Sequence, residues 1–288
     1  KERILGIYDK GKQEDAEVFS KPIDLSAVRI KTIVEFFQEI DLSKTDLDSK
    51  GKAFETFIGA YFRGEFGQYF TPRNVVKFIV NTLPIDHESR VLDTSCGSGG
   101  FLLYALDKVR RQADKIYTDY KTDPDERDDW KRHWHSFASK RLYGIEINDQ
   151  ISRVAKMNMI IHDDGHTNVV THDGLFNIDI IAANTKNEGF KADNFDFIIT
   201  NPPFGSIVKQ SEKSYMKAND NTAPYYDFSL KEVNWIDQKL KKKHKAASRP
   251  NQSTEVLFLE QCHKFLRADG YIAIVVPDGI LTNSSLQY

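Results

Sequence analysis

The stretch Val91-Leu-Asp-Thr-Ser-Cys-Gly-Ser-Gly-Gly-Phe101 decides the fold, because it joins a short apolar run to a glycine-rich turn ahead of a helical pattern. Glycines at such a turn let the backbone bend sharply and approach a ligand closely. The spacing is not the dinucleotide pattern G-x-G-x-x-G, and no Gly-Lys-Ser/Thr follows to make a nucleotide phosphate loop. Asp93 precedes the glycines, which suits a ligand with an ammonium group and no pyrophosphate, such as S-adenosylmethionine. A plain strand-to-helix turn is the alternative interpretation.

Short runs rich in Val, Ile, Leu, Phe and Tyr alternate with helical patterns around this stretch. The predicted strands are Arg90–Asp93, Leu142–Ile147, Asn168–Thr171, Phe195–Thr200 and Tyr271–Val276. The predicted helices are Asn74–Leu83, Gly100–Gln112, Asp149–Ile161 and Thr254–Leu266. The alternation predicts an α/β fold in which helices cover both faces of a parallel sheet. Ligands of such sheets bind at the carboxyl ends of the strands.

Residues 1–66 predict a helical N-terminal region, and residues 67–288 predict the α/β domain. One helical apolar face of the N-terminal region comprises Val28, Ile33, Val34, Phe36, Phe37 and Ile40. A second face comprises Phe54, Phe57, Ile58, Tyr61 and Phe62. Two polar segments, 107–141 and 205–252, interrupt the alternation, and we expect both to be surface insertions. The second contains Tyr225, Tyr226 and Trp235 among lysines.

The composition is that of an ordinary globular protein, with 40% hydrophobic and 28% charged residues among 288. No apolar run approaches the ~20 residues that span a bilayer, and no signal peptide opens the chain, so we expect a cytoplasmic protein without a membrane partner. Two cysteines are too few for a disulfide framework or a cysteine zinc site. The formal net charge is −2, so contacts with nucleic acid would need a local patch, such as Lys239–Lys245, or a partner subunit. That patch is equally well explained as a solvated surface.

Two further acids follow predicted strands. Tyr143-Gly-Ile-Glu146 ends the second strand, where a carboxylate accepts hydrogen bonds from both ribose hydroxyls of a nucleoside. The third strand leads into Thr171-His-Asp-Gly174, which places Asp173 near the adenine edge of a cofactor. A turn or a helix cap is the alternative role for Asp173.

The fourth strand carries the most specific pattern, Phe195-Asp-Phe-Ile-Ile-Thr-Asn-Pro-Pro-Phe204. Two prolines directly after a buried strand end the regular structure and leave carbonyl groups outside any ladder. The Asn201 side chain adds another carbonyl, so these acceptors can take both hydrogens of a planar amino group. Phe204 can stack on the base that carries the amine. The chemistry then depends on positioning and polar preorganisation rather than on a strong base.

A third segment, Gly67-Gln-Tyr-Phe-Thr-Pro-Arg-Asn74, precedes the first predicted helix of the α/β domain. We expect Thr71 to cap that helix and Pro72 to occupy its first position. The helix N-terminus would then suit a carboxylate, such as the methionine end of the cofactor.

Histidines and acids meet at His133-Trp-His135 and at His162-Asp-Asp-Gly-His166. Neither segment has two histidines at helical i, i+4 spacing with a catalytic Glu between them, so we expect no metal site.

The order of these motifs resembles that of amino-methylating DNA methyltransferases of the gamma arrangement. Within them it resembles the modification subunit of type I restriction–modification systems. Val154-Ala-Lys-Met-Asn-Met-Ile-Ile-His162 and Gly270-Tyr-Ile-Ala-Ile-Val-Val-Pro-Asp-Gly279 are also similar to that family, and the resemblance covers residues 46 to 283. It implies a Rossmann-like class I S-adenosylmethionine-dependent methyltransferase sheet with a helical N-terminal region, and transfer of methyl to the N6 amino group of adenine in DNA.

The resemblance also implies roles for individual residues. The catalytic motif would be Asn201, Pro202, Pro203 and Phe204. The S-adenosylmethionine site would comprise Gln68, Tyr69, Phe70, Thr71, Pro72, Arg73, Asp93, Gly97, Ser98, Gly99, Gly100, Glu146 and Asp173. The implied partners are double-stranded DNA, from which the family flips its target adenine, together with a specificity subunit and a restriction subunit.

Some features depart from the family pattern. Thr94 replaces the usual proline after the motif acid, and the chain stops after the fifth predicted strand, as expected of a fragment. Two other interpretations remain open. Asn-Pro-Pro-aromatic motifs also serve methyltransferases that act on guanine amines in RNA or on glutamine amides in protein. A non-catalytic subunit that binds cofactor or DNA is the other interpretation.

Overall fold

A computed structural model of the chain describes residues 2–39, 71–162, 168–209, 212, 225–226, 229–230, 247–248 and 251–282. Several sequence predictions lie outside these residues: the helical face at Phe54–Phe62, the boundary at 66/67, the Gln68–Phe70 segment, Trp235 and the Lys239–Lys245 patch. Within the described ranges, no helix is long and apolar enough to cross a membrane.

Five parallel strands form the central sheet, as the alternation predicts. In chain order they are β1 (Val91–Asp93), β2 (Leu142–Glu146), β3 (Val169–Thr171), β4 (Phe195–Thr200) and β9 (Leu266–Ile274). Their spatial order is β3-β2-β1-β4-β9. The first crossovers therefore run outward from β1 in one direction, and the chain then returns to the other side of β1 at β4. The direction reverses between β1 and β4, and ligands bind at such a switch point.

Helices cover both faces of the sheet. They are α3 (Arg73–Thr82), α4 (Gly100–Ile116), α5 (Pro124–Lys140), α6 (Asp149–Ile161), α7 (Ile178–Thr185), α8 (Thr254–Phe265) and α9 (Asp278–Thr282). Successive strand residues point to opposite faces, so Val91 joins one buried cluster and Leu92 the other. The cluster with Val91 contains residues of α3, α4, α5 and α6, and the cluster with Leu92 contains residues of α7 and α8.

The expectation that 107–141 is a surface insertion is wrong. Helix α4 continues to Ile116, and 124–140 forms α5, which begins at a cap where the Asp123 side chain accepts from Asp125 N. Trp134 and Phe137 are buried, and they join the same cluster as Val91. The segment is therefore part of the helical layer over the sheet.

The expectation for 205–252 is wrong for its two adjacent tyrosines. Tyr226 is fully buried and donates a hydrogen bond to the Leu175 carbonyl, while Tyr225 is partly buried and donates to Gln261 at 2.9 Å. The two ends of the segment pair as antiparallel strands, β5 (Ile207–Lys209) with β8 (Asn251–Ser253). Two further short strands, β6 (Ser229–Leu230) and β7 (Ala247–Ser248), also pair antiparallel.

The N-terminal helices α1 (Glu2–Glu14) and α2 (Ala27–Phe37) confirm helical structure in the described part of 1–66. Ile30 is buried, whereas Val28, Ile33, Val34, Phe36 and Phe37 of the predicted apolar face are exposed. After α1 the chain contacts the α/β domain through Glu17, which pairs with Lys156 Nζ at 2.6 Å and accepts from Thr171 Oγ1 at 2.9 Å.

Candidate functional site

A cavity of about 580 Å³ opens at the carboxyl ends of β1 to β4. This volume lies within the range of small-molecule sites. Its walls include most residues of the predicted site: Thr71, Arg73, Asp93, Gly97, Ser98, Gly100, Glu146, Asp173, Asn201, Pro202, Pro203 and Phe204. Pro72 and Gly99 do not line it. Residues from four strand ends and from the start of α3 thus meet in one place.

Asp93 ends β1 with 1% of its surface exposed. Ser95 N donates to its carboxylate at 3.1 Å, and the Thr200 side chain also bonds to it. The pKa of Asp93 is raised to about 7, because the effect of burial, together with the nearby carboxylate of Glu146, outweighs the lowering by these two hydrogen bonds. None of the described basic side chains offsets the burial of this carboxylate. Such a group favours a cationic ligand.

The glycine-rich loop adopts the conformation that its sequence predicts. Gly97 has φ +54 and Gly99 has φ +84, in the left-handed region that favours glycine. Gly99 stands immediately before α4. Behind the loop, Asn158 of α6 donates to the Ser98 carbonyl at 2.8 Å. A Cβ on Gly97 or Gly100 would meet no atom within 4 Å, so the backbone there borders open space in the cavity.

Glu146 ends β2, buried against the same loop. Its two oxygens accept from Gly97 N at 3.0 Å and from Asn148 N at 2.8 Å. Burial raises its pKa, and these backbone bonds lower it. The carboxylate is therefore fixed relative to the loop, and it retains lone pairs for further donors.

Asp173 follows β3 and also accepts a turn hydrogen bond, from Leu175 N at 2.9 Å. The buried side chain of Gln261 holds this turn by donating to the carbonyls of Gly174 and Phe176 at 3.0 and 2.8 Å. A Cβ on Gly174 would lie 2.3 Å from the Thr94 carbonyl, so the turns after β1 and β3 pack in direct contact. The sequence analysis missed Gln261 because it lies 85 or more residues away from its partners.

Asn201 follows β4, and its amide is held at one end. Nδ2 donates to Thr71 Oγ1 at 2.9 Å, whereas Oδ1 is buried and has no hydrogen-bond partner among the described residues. Buried polar atoms are nearly always paired, and an unpaired one costs about 1–3 kcal/mol. An unpaired acceptor on a cavity wall therefore indicates a ligand that donates.

The residues after Asn201 are fixed by the start of α8. Thr254 Oγ1 donates to the Pro203 carbonyl at 3.1 Å, and Glu255 accepts from Gly205 N at 2.9 Å. Pro202 is buried, and no described residue donates to its carbonyl. Phe204 keeps 44% of its surface exposed at the mouth of the cavity. Neither Thr254 nor Glu255 was predicted, because both lie about 50 residues away in the sequence.

The predicted role of Thr71 as a helix cap is wrong. Pro72 occupies the cap position of α3 without a side-chain hydrogen bond, and the helix begins at Arg73. The Thr71 hydroxyl instead bonds Asn201. The physical reason is position, since the helix begins one residue later than predicted and the cap position falls on Pro72, which has no side-chain acceptor.

In the described part of the chain, no group of three or more His, Cys, Asp or Glu side chains is placed so that it could hold a metal ion. His133 stacks on His87 with ring centroids 4.0 Å apart. His166 and its neighbours lie outside the described residues.

The sheet order, the glycine loop after β1 and the acids after β1 to β3 define a class I methyltransferase fold. Residues 45–287 match the family model described as N-6 DNA Methylase. The chain belongs to this family.

Individual relatives agree with this assignment. The chain is 24% identical over 254 residues to the methylase subunit of the type I restriction enzyme EcoEI of Escherichia coli. It is 30% identical over 176 residues to the type II restriction enzyme and methyltransferase RM.BcgI of Heyndrickxia coagulans. The alignments cover 88% and 60% of this chain, but only 41% and 24% of those proteins. The chain therefore spans less than half the length of these relatives.

The fold is also that of a solved relative. The type I restriction–modification methyltransferase subunit from Streptococcus thermophilus superposes with a TM-score of 0.56 at 20% identity. The match covers 97% of this chain and 53% of that one.

Proposed function

We propose that this chain is the catalytic part of a modification subunit that transfers a methyl group to the N6 amino group of adenine in double-stranded DNA. The observation that carries the proposal is the buried Asn201 Oδ1, which no described residue pairs, on the wall of a cavity that also contains Asp93 and Glu146. In this cavity Asn201 Oδ1 and the Pro202 carbonyl offer acceptors to an amine, and Asp93 and Glu146 offer carboxylates to a cationic nucleoside.

S-adenosylmethionine is the proposed methyl donor, and the described residues fit it. Asp93 is buried with no cation beside it among the described residues, which suits the ammonium group, and Glu146 retains lone pairs for ribose hydroxyls. Asp173 is proposed to meet the adenine edge. Backbone without a side chain at Gly97 and Gly100 leaves room for close approach. Thr71 to Arg73 would face the methionine end, and the proposal extends to Gln68–Phe70.

The cofactor supplies an electrophilic methyl group on a positively charged sulfur. The residues of this chain then act on the amine. Asn201 Oδ1 and the Pro202 carbonyl accept its two N–H groups, which shifts electron density onto nitrogen and aims its lone pair. Phe204 stacks on the base. The N–C bond would form as the methyl–sulfur bond breaks, with S-adenosylhomocysteine as the leaving group. The nitrogen would lose its proton to solvent only afterwards, so no strong base is needed, and preorganised acceptors supply the catalysis.

Adenine in a duplex is buried in the base stack, so the target nucleotide must be extruded to reach the cavity. The exposed ring of Phe204 at the cavity mouth supports this step, because a stacking partner offsets part of the stacking that the base loses. The family membership favours adenine in DNA over a guanine amine in RNA or a glutamine amide in protein.

The proposed partners are a specificity subunit, which reads the DNA sequence, and a restriction subunit. The formal charge of −2 supports this division of labour, since phosphate contacts usually require a basic surplus. The relatives include both a type I methylase subunit and a type II enzyme with both activities, and we favour type I because most matched proteins carry that name.

Methyl transfer from radiolabelled S-adenosylmethionine tests the proposal, with the full-length protein assembled with its specificity subunit. We expect label in duplex DNA as N6-methyladenine, and none in ribosomal RNA or release-factor protein. Asn201→Ala should slow transfer by about 10²–10³-fold, the scale of losing one preorganised transition-state contact. Its cofactor affinity should stay within about threefold, since the amide contacts the amine rather than the cofactor.

Asn81→Ala, at an exposed position of α3, is the matched control and should transfer methyl groups at the wild-type rate. Label only in RNA or protein would refute the substrate. Equal rates for wild type and Asn201→Ala would refute the catalytic role and favour a subunit that only binds.

A further inference from the structure

The contact between Thr71 and Asn201 joins two motifs that lie 130 residues apart in the sequence. Asn201 Nδ2 donates to Thr71 Oγ1 at 2.9 Å, and Asn201 Oδ1, at the other end of the same planar amide, has no partner among the described residues. Since Thr71 caps no helix, its oxygen is available to this contact without competition from the α3 backbone.

An amide is chemically asymmetric, because one end only donates hydrogen bonds and the other only accepts. Rotation by a half-turn about the Cβ–Cγ bond of Asn201 would exchange the two ends with little change in shape. The exchanged amide would direct N–H groups at the N–H groups of a target amine, and methyl transfer could not proceed. Because packing alone distinguishes the two orientations of the Asn201 amide poorly, a hydrogen bond must select between them.

We propose that Thr71 is a positioning residue for methyl transfer, whose hydroxyl holds Asn201 Nδ2 so that Oδ1 faces the amine. This inference rests on the proposed function and assigns Thr71 to the reacting end of the cavity. The hydroxyl must act as the acceptor of this bond. In the structure Nδ2 donates to this oxygen, which leaves the single hydroxyl proton to be donated elsewhere, into the cavity that Thr71 lines.

Thr71→Val removes the hydroxyl and keeps the shape of the side chain. At saturating S-adenosylmethionine and DNA, we expect kcat to fall by about 10- to 100-fold, because a misoriented reacting group costs rate on this scale. We expect the KM for DNA to stay within about threefold. Thr71→Ser restores the hydroxyl and should recover most of the lost rate.

Thr82→Val is the matched control, because Thr82 lies at the far end of α3 and its hydroxyl donates to the Phe78 carbonyl at 2.8 Å, within its own helix. Its kcat should equal that of wild type. Calorimetric titration of each variant with S-adenosylmethionine also shows whether the cofactor site is intact. A Thr71→Val variant with weaker cofactor binding and an unchanged kcat at saturation would overturn the proposal, since Thr71 would then serve the cofactor alone.

A second readout needs no turnover. Duplexes that carry either adenine or purine at the target position differ only by the amino group. Purine is also extruded more easily because it pairs more weakly, but this effect is the same for every variant. In the presence of S-adenosylhomocysteine, the ratio of adenine-duplex to purine-duplex affinity should therefore be several-fold higher for wild type and Thr71→Ser than for Thr71→Val. An equal ratio in wild type and Thr71→Val would overturn the inference. Failure of wild type to methylate any duplex would instead refute the proposed function, so the two failures are distinguishable.

Discussion

Asp93→Asn tests whether the cavity holds a buried charge at a cost to stability. The pKa of Asp93 is about 7 in the folded chain, because burial disfavours the carboxylate, against a reference value of 3.8. Between these values the folded state binds more protons than the unfolded state, so stability falls as pH rises through the window. The penalty is absent below pH 3.8 and complete above pH 7. It amounts to about 4 kcal/mol at pH 8 and about 2 kcal/mol at pH 5.

Asparagine has the shape of Asp93 and no charge to desolvate. Its Oδ1 can still accept from Ser95 N, while its Nδ2 adds a donor where the carboxylate accepted from Thr200. That mismatch changes stability equally at all pH values. The informative quantity is therefore the pH-dependent part, in which Asp93→Asn should gain about 2–3 kcal/mol over wild type between pH 5 and pH 8.

Urea unfolding of both proteins at pH 5 and pH 8 measures this difference. Asp128→Asn, at an exposed position of α5, is the control and should follow wild type at both pH values. Two buried groups close to Asp93 do not interfere, because burial raises the pKa of the Cys96 and Cys262 thiols, the latter to about 12, and keeps both neutral. Parallel pH profiles for Asp93→Asn and wild type would show that Asp93 carries no such penalty.

The raised pKa of Asp93 also predicts how the affinity for the proposed cofactor depends on pH. An ammonium ligand binds the ionised form, so binding to wild type must release a proton below pH 7. The apparent affinity for S-adenosylmethionine should therefore rise about 15-fold from pH 5.5 to pH 7.0, as expected for a pKa of about 7. Asp93→Asn should bind weakly and without this rise, and a steep rise that persisted in this variant would exclude Asp93 as its source.

Two further predictions concern Glu146 and α5. Glu146→Ala should weaken S-adenosylmethionine by about 10- to 100-fold, because two ribose bonds of about 1 kcal/mol or more are lost, and calorimetry that found unaltered affinity would show the acid to be misplaced. Asp149→Ala, an exposed acid three residues on, should leave the affinity unchanged. Phe137→Ala should lower the unfolding free energy by about 3–5 kcal/mol, since its ring is fully buried, whereas exposed Lys131→Ala should change it by less than about 0.5 kcal/mol. A wild-type urea midpoint for Phe137→Ala would mean that α5 is dispensable after all.

The sheet could be predicted because its strands end at strong local signals. Asp93 with its glycines and Asn201 with its prolines both mark the point where an apolar run stops, and both strand ends are confirmed. Helix α5 was missed because its many charges suggested a solvated segment. The signal was nevertheless present, since Trp130, Trp134 and Phe137 recur at helical spacing behind a capping Asp123-Pro.

The residues of the site also differ in whether a local sequence signal marks them. Residues that follow strand ends line one cavity, because the topology brings all carboxyl ends of parallel strands to one edge. The contacts that orient them were not predicted. Thr71 holds Asn201, Gln261 holds the turn after Asp173, and Thr254 holds Pro203, each across 50 or more residues. Spacing in one sequence carries no information on which distant hydroxyl or amide meets which partner.

Two groups of the cavity lack the partners that burial normally demands: Asp93 has no cation and Asn201 Oδ1 has no donor among the described residues. One such group in a cavity is explained by irregular packing. Two groups in the same cavity, of which one calls for a cation and the other for a hydrogen-bond donor, indicate ligands that bind there. A cationic methyl donor would satisfy Asp93, and a primary amine would satisfy Asn201. Because each ligand removes a different penalty, binding of either one stabilises the folded protein.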